Sequence, residues 1–261
     1  MRAKIKPTVQ YERMALHKHI PLATPLVVYV EPSGYCNLRC KFCPHGVGDE
    51  KTFKKDIMSI KLFKKLINDL SAFPDKIKLL RICGNGEPLM NKNIVKMLQY
   101  AREQKVAEKI ELVTNGLLLT PSLIKNLPRF LDRIIISIEG LCAEDYQRIC
   151  NANINFQSLL DNLASLYTWK GKCNIHIKIH NAAISSPEEK TIFFNIFSNR
   201  CDEIYIENLV PMWPQFIIPY FSNEFRWGGR LLKNEFVLKF LRVYKFKQMV
   251  KLCLVVLIGI G

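Results

Sequence analysis

Apolar and polar positions in the middle of the chain switch repeatedly between a strand-like and a helix-like period. Leu26–Glu31 reads as a strand. Ser59–Leu70 then spaces its apolar residues at helical intervals, with Ser59 as the N-cap. Lys78–Cys83 is a second strand, and a helix follows over Asn91–Arg102, just after Pro88. Ile110–Thr114 is a third strand, ended by Asn115-Gly116, and Thr120-Pro121 opens a short helix with proline at its tolerated first position. Arg133–Ile138 is almost continuously apolar, the pattern of a strand covered on both faces. Helices are expected around Ala143–Ile149 and Phe156–Thr168. Asn174–His180 alternates cleanly as a strand, Ser186-Pro187 starts another helix, and Glu203–Glu207 is the sixth strand.

Six strand-then-helix units imply a parallel α/β sheet wound right-handedly. Either an open doubly wound sheet or a partial TIM-like barrel satisfies the count. Both place ligands at the carboxyl ends of the strands. The residue types that can do chemistry fall just past those ends.

The clearest of them is the loop after the first strand, Gly34-Tyr35-Cys36-Asn37-Leu38-Arg39-Cys40-Lys41-Phe42-Cys43. Its spacing is C-x3-C-x2-C. Three thiolates on one short loop can hold three corners of an iron–sulfur cubane and leave the fourth iron open. A structural zinc site would want four ligands, usually as two spaced pairs, and His45 is tight against Cys43 for that purpose. The chain has nine cysteines, an odd number, so a disulfide framework is not expected and the cluster points to metal or catalysis.

On this loop the chain resembles the radical S-adenosylmethionine superfamily, whose signature is this triad with an aromatic residue, here Phe42, before the last cysteine. The resemblance runs from about Leu26 to Glu207 and implies a partial (β/α)6 TIM-like barrel. Further segments match it in order. Gly84-Asn85-Gly86-Glu87-Pro88 follows the second strand and is similar to the family's Gly-Gly-Glu segment, which holds the amino group of the methionine moiety. Asn85 stands where that segment has a glycine, which suits it only if its side chain points away. By the same resemblance Asn115 lies near the nucleoside and Ser137, in Ser137-Ile138-Glu139-Gly140, lies near the ribose hydroxyls. Lys178, His180 and Asn181 end the fifth strand, where one of them can face the ligand.

The resemblance implies two cofactors, a [4Fe–4S] cluster and S-adenosyl-L-methionine. It also implies a chemistry in which reductive cleavage yields a 5′-deoxyadenosyl radical that abstracts hydrogen from substrate. A peptide or small-molecule substrate and an electron donor such as ferredoxin or flavodoxin are the expected partners. Catalytic residues acting on the substrate are not assigned. Cys83 reads as a buried strand residue, and Cys142 is a minor candidate for substrate chemistry.

Composition adds less. With 261 residues, 49% hydrophobic, the chain can bury a substantial core. Met1–Pro25 has no apolar leader, so a cytoplasmic protein is expected, and the apolar run Leu252–Gly261 is shorter than the roughly 20 residues of a membrane span. The net charge of +15 draws on residues 1–25 and 233–251. Neither segment interleaves aromatics and bases in a nucleic-acid module, so nucleic acid is not an expected partner and an RNA-modifying radical enzyme is the alternative reading.

The expected division is an N-terminal extension over residues 1–25, the barrel over 26–210 and a linker with an aberrant tail over 211–261. From Lys233 the composition changes and matches no barrel element. Back-translating Val237–Gly261 and reading one base earlier permits a peptide with C-x12-G-x4-C, which resembles the start of the SPASM extension that binds auxiliary clusters. The expectation is a SPASM-type enzyme with that region truncated or frameshifted, hence an irregular tail. The plain alternatives are a basic amphipathic tail and a non-catalytic iron–sulfur protein.

Overall fold

The computed structural model describes residues 3–5, 22–47, 55–209 and 255–258. They form one parallel sheet in the order β1-β7-β6-β5-β4-β3-β2-β8. The strands are β1 (Lys4–Ile5), β2 (Val27–Val30), β3 (Ile77–Ile82), β4 (Ala107–Thr114), β5 (Arg133–Ile138), β6 (Asn174–His180), β7 (Glu203–Glu207) and β8 (Val255–Ile258). From β2 to β7 each strand lies beside its successor in sequence, the arrangement that helical crossovers impose on a parallel sheet. Among the described residues the sheet does not close, and the fold is a partial (β/α)6 TIM-like barrel.

The helices are α1 (Pro44–Val47), α2 (Ile60–Leu70), α3 (Ile94–Gln104), α4 (Pro121–Asn126), α5 (Ala143–Cys150), α6 (Phe156–Trp169) and α7 (Pro187–Phe197). The starts of α2, α4, α6 and α7 are set by side chains that satisfy otherwise orphaned amides. Ser59 accepts from the Leu62 amide, Thr120 from Leu123 and Asn155 from Ser158. Ser186 and Glu189 form a reciprocal capping box on α7.

The core lies between the sheet and the helices. Val28, Val30, Leu80, Ile82, Leu112, Ile134, Ile136, Ile177, Ile179 and Ile204 are all buried there, with Phe63, Met97, Leu163, Phe193 and Phe197 from the helices. The alternate strand positions carry polar groups. Glu111, which is 0% exposed, is gripped between Arg81 on β3 and Arg133 on β5. His176 pairs with Glu203 at 3.1 Å, and Lys178 with Glu207 at 2.5 Å.

The strand expected from Ile110 begins at Ala107, and three further observations depart from the expected layout. The helix placed from Asn91 begins at Ile94, because Asn91 is consumed as a buried brace whose Nδ2 donates to the carbonyls of Pro32 and Met58 at 2.8 and 2.9 Å. Lys4–Ile5, placed in the N-terminal extension, pairs with β7 at the sheet's edge. Val255–Ile258, where no barrel element was expected, forms a parallel strand on the outer edge of β2, with Val27 opposite Val255. A run of β-branched and apolar residues is competent to cover an exposed sheet edge. The rest of the tail, with its truncation or frameshift reading, lies outside the described residues.

Candidate active site

The loop between β2 and α1 holds the three spaced cysteines, and its shape is set mostly by bonds to its main chain. Ser33 Oγ donates to the Tyr35 carbonyl at 3.1 Å, and the Glu87 amide donates to that same carbonyl at 2.8 Å. The Arg39 guanidinium closes back on the carbonyls of Cys36 and Leu38, both at 2.8 Å. The Arg39 and Lys41 amides donate to the carbonyls of Cys150 and Ile149 at 2.9 and 3.0 Å. Those carbonyls are the C-terminal orphans of α5, so the loop caps that helix while the helix fixes the loop. A side-chain bond from Asn115 Nδ2 to Asn37 Oδ1 at 2.8 Å ties the loop to the end of β4.

A cavity of about 400 Å³ opens at the carboxyl ends of the strands. It brings together Cys36, Cys40, Phe42, Cys43, Gly84, Gly86, Glu87, Asn115 and Ser137. Lys178, His180 and Glu207 border it from β6 and β7. Asn85 does not border it, and neither do Asn181 and Cys142.

The turn after β3 shows why its glycines are needed. A Cβ on Gly84 would run into the Glu31 side chain, and one on Gly86 into the Ser33 and Tyr35 carbonyls. Glu31 is the anchor, since its Oε1 accepts from the amides of Asn85 and Gly86, the first at 2.5 Å and the second at 3.2 Å. Its burial outweighs those bonds and raises its pKa. Glu87 is 3% exposed and borders the cavity. Its Oε1 accepts from Thr114 Oγ1 at 2.6 Å and the Leu89 amide at 2.9 Å, and its Oε2 accepts from the Asn115 amide at 2.9 Å. A carboxylate offers about four acceptor positions, so one on Oε2 remains for a cavity ligand. Burial raises the pKa of this acid as well, against the pull of its three donors.

The Asn115 side chain is spoken for on both ends, since its Oδ1 also accepts the Leu117 amide at 3.0 Å. Phe42 meets the His180 ring edge-on with centroids 4.6 Å apart, and His180 Nε2 lies 3.2 Å from Glu139.

The thiols themselves are desolvated. Burial pushes Cys36 up to about 11, and pushes Cys43 upward as well. Cys40 is raised furthest, first by its hydrogen bond with Cys150 and then by burial. One buried thiol, Cys40, and two half-buried ones, Cys36 and Cys43, beside one cavity suit a cationic iron centre, whose charge offsets the desolvation of thiolates. The Leu38 amide faces Cys36 Sγ at 3.5 Å, the sort of outer contact that supports a metal-bound sulfur. The donor set therefore fits an iron–sulfur cubane.

Sequence reasoning missed Glu31, Asn37 and Cys150. Glu31 and Asn37 carry no spacing signal, because their work is to bond backbone and side chain across loops. Cys150 is 0% exposed, and its sulfur sits 3.2 Å from Cys40 Sγ. Among the described residues, Cys40, Glu139 and Cys150 place their ligand-type atoms within 4.8 Å of one another. His45, the possible fourth zinc ligand, is buried, and burial lowers its pKa.

A family model described as the Radical SAM superfamily matches residues 30–174. GTP 3′,8-cyclase of Staphylococcus carnosus (strain TM300) is 32% identical over 149 residues, which is 55% of this chain and 43% of that protein. The chain thus spans less than half the length of that relative. Native anSMEcpe with bound AdoMet superposes with a TM-score of 0.59 at 18% identity, covering 75% of this chain and 55% of that one. Streptococcus suis SuiB bound to precursor peptide SuiA gives 0.58 at 18% identity, covering 94% and 51%. Identities this low speak for the fold. No helix among the described residues is long and apolar enough to cross a membrane.

Proposed function

The chain belongs to the radical S-adenosylmethionine superfamily, and from that premise we propose that Cys36, Cys40 and Cys43 bind a [4Fe–4S] cluster used to cleave S-adenosylmethionine reductively. The hydrogen acceptor made in this way is a 5′-deoxyadenosyl radical, and the substrate is a peptide or small metabolite. When bound, the cluster would supply the electron for breaking the sulfur–C5′ bond. The observation that carries the reading is the single cavity border shared by the three thiols, the glycine turn at Gly84–Gly86 and Ser137.

The chain's own residues do the positioning. The backbone at Gly84 and Gly86 lets the methionine moiety lie close to β3. Glu87 offers its remaining acceptor position to the ammonium. Asn115, fixed by its bonds to Asn37 and Leu117, holds the nucleoside side of the cavity in shape. Ser137 offers its hydroxyl to the ribose, and Phe42 walls the cysteine loop against His180. Lys178 and Glu207 stand where substrate would approach. The relatives support either substrate class, since one is named for a nucleotide and another was crystallised with a precursor peptide. The electron comes from a donor such as ferredoxin or flavodoxin, and the setting is cytoplasmic.

Anaerobic reconstitution tests the proposal. Protein loaded with iron and sulfide, reduced with dithionite and given S-adenosylmethionine releases 5′-deoxyadenosine, and absence of that product overturns it. The finer assignment to the SPASM-type subgroup rests on the alternate reading frame of residues 237–261. Sequencing the gene decides it, because codons incompatible with C-x12-G-x4-C in that frame remove the assignment.

A further inference from the structure

Cys150 has no part in the chemistry above, yet its sulfur lies 3.2 Å from that of Cys40, across 110 residues of sequence. We propose that Cys40 and Cys150 form a reversible disulfide when peroxide reaches the cluster-free protein, with Cys150 as the resolving thiol. The contact is held by main chain on both sides. The Arg39 amide donates to the Cys150 carbonyl at 2.9 Å and the Lys41 amide to the Ile149 carbonyl at 3.0 Å. Closing to a disulfide length therefore asks the sulfurs to approach by about 1 Å, within reach of side-chain rotation.

The two thiols differ in access, which orders the steps. Cys40 borders the cavity and Cys150 does not. Of this pair, hydrogen peroxide in the cavity reaches Cys40, 7% exposed, before Cys150, which is 0% exposed. The Cys40 sulfur attacks one peroxide oxygen, the O–O bond breaks, and a sulfenic acid and one water result. The Cys150 sulfur then attacks the sulfenic sulfur, the S–O bond breaks, and the hydroxide leaves with the Cys150 proton as a second water. Two thiols lose two electrons and two protons, and peroxide is reduced to two waters. A sulfenic acid with a thiol already in contact condenses before further oxidation to the irreversible sulfinic acid. Given the reading of Cys40 as a cluster ligand, the disulfide withdraws that ligand while oxidant is present and returns it on reduction.

The experiment uses the cluster-free chain of 261 residues treated with hydrogen peroxide, alkylated without reductant, digested and analysed by mass spectrometry. The expected result is a cross-linked peptide pair carrying Cys40 and Cys150, cleaved by dithiothreitol. Reduced wild-type protein then takes up as much iron as an untreated sample. In Cys150→Ser the same treatment leaves sulfinic acid on Cys40, and later iron uptake falls several-fold below the variant's untreated control. The wild-type cross-link needs no variant, so the proposal stays falsifiable if Cys150→Ser folds poorly. Sulfinic acid on Cys40 of the wild type, or a bridge from Cys40 to Cys36 or Cys43, overturns it. So does untreated, folded Cys150→Ser that binds no iron, because Cys150 would then serve the metal directly. Iron retained in Cys40→Ala would sink the cluster reading and leave the cross-link standing, so the two failures are distinguishable.

Discussion

The Glu87 carboxylate accepts the Asn115 backbone amide at 2.9 Å, joining the glycine turn after β3 to the end of β4. Its other oxygen holds Thr114 and Leu89, so one buried acid organises two of the ligand-facing segments. Glu87→Gln keeps the shape but puts a donor where acceptors are needed. The expected result is S-adenosylmethionine affinity lower by about tenfold, the worth of one interaction of roughly 1.5 kcal/mol to a charged group. Equilibrium dialysis against the reconstituted protein measures it.

The same residue sets a pH dependence. Burial raises the Glu87 pKa above its ordinary 4.5, so the folded state binds this proton more tightly than the unfolded chain does. That contribution to stability is complete below the unfolded pKa and is lost as pH climbs through the folded value. Urea unfolding of the wild type should therefore show stability falling as pH rises above 4.5. Glu87→Gln should flatten part of that fall, and Glu31, shifted the same way, should account for more of it.

Gly86→Ala brings a methyl against the Ser33 and Tyr35 carbonyls, which belong to the cysteine loop. Backbone cannot yield as a flexible side chain can, so the turn must shift. A loss of about 1–3 kcal/mol is expected from overpacking. A weaker binding of S-adenosylmethionine should accompany it. Thermal unfolding and equilibrium dialysis together check the pair of effects.

Glu111→Ala removes the buried acid between Arg81 and Arg133 and leaves two guanidinium groups facing each other. Their side chains remain 27% and 33% accessible, so water relieves part of the penalty. Destabilisation of about 3 kcal/mol is expected, at the lower end for a broken buried ion pair. Denaturant titration measures it, and iron content of the folded fraction should not change.

Ser186→Ala separates stability from ligand binding. It breaks the capping box of α7, away from the cavity. The expected cost is about 1 kcal/mol in unfolding free energy with no change in S-adenosylmethionine affinity.

Much of the architecture was legible in the chain itself. Arg133–Ile138, Asn174–His180 and Glu203–Glu207 fold as strands with the very ends that their apolar patterns indicate. Ser59 and Thr120 cap helices where their positions before apolar periodicity place them. The cysteine loop and the segments after β3, β4 and β5 do meet at one cavity. What the pattern cannot express is contact between distant residues. Cys150 reads as a residue flanking the helix expected over Ala143–Ile149, and only the docking of the loop onto α5 brings it to Cys40. Asn91 reads as a helix start because it comes just after Pro88, yet tertiary bonds to Pro32 and Met58 claim its side chain. Glu31 ends a strand without any motif, and its role appears only once the glycine turn folds over it.

Iron and sulfide analysis of anaerobically reconstituted wild type beside Cys36→Ala/Cys40→Ala/Cys43→Ala probes the foundation most directly. The wild type should hold one cubane per chain through those residues and the variant none, with 5′-deoxyadenosine formed by the first alone. Equal iron in both proteins, or zinc in place of iron in the wild type, would contradict the account.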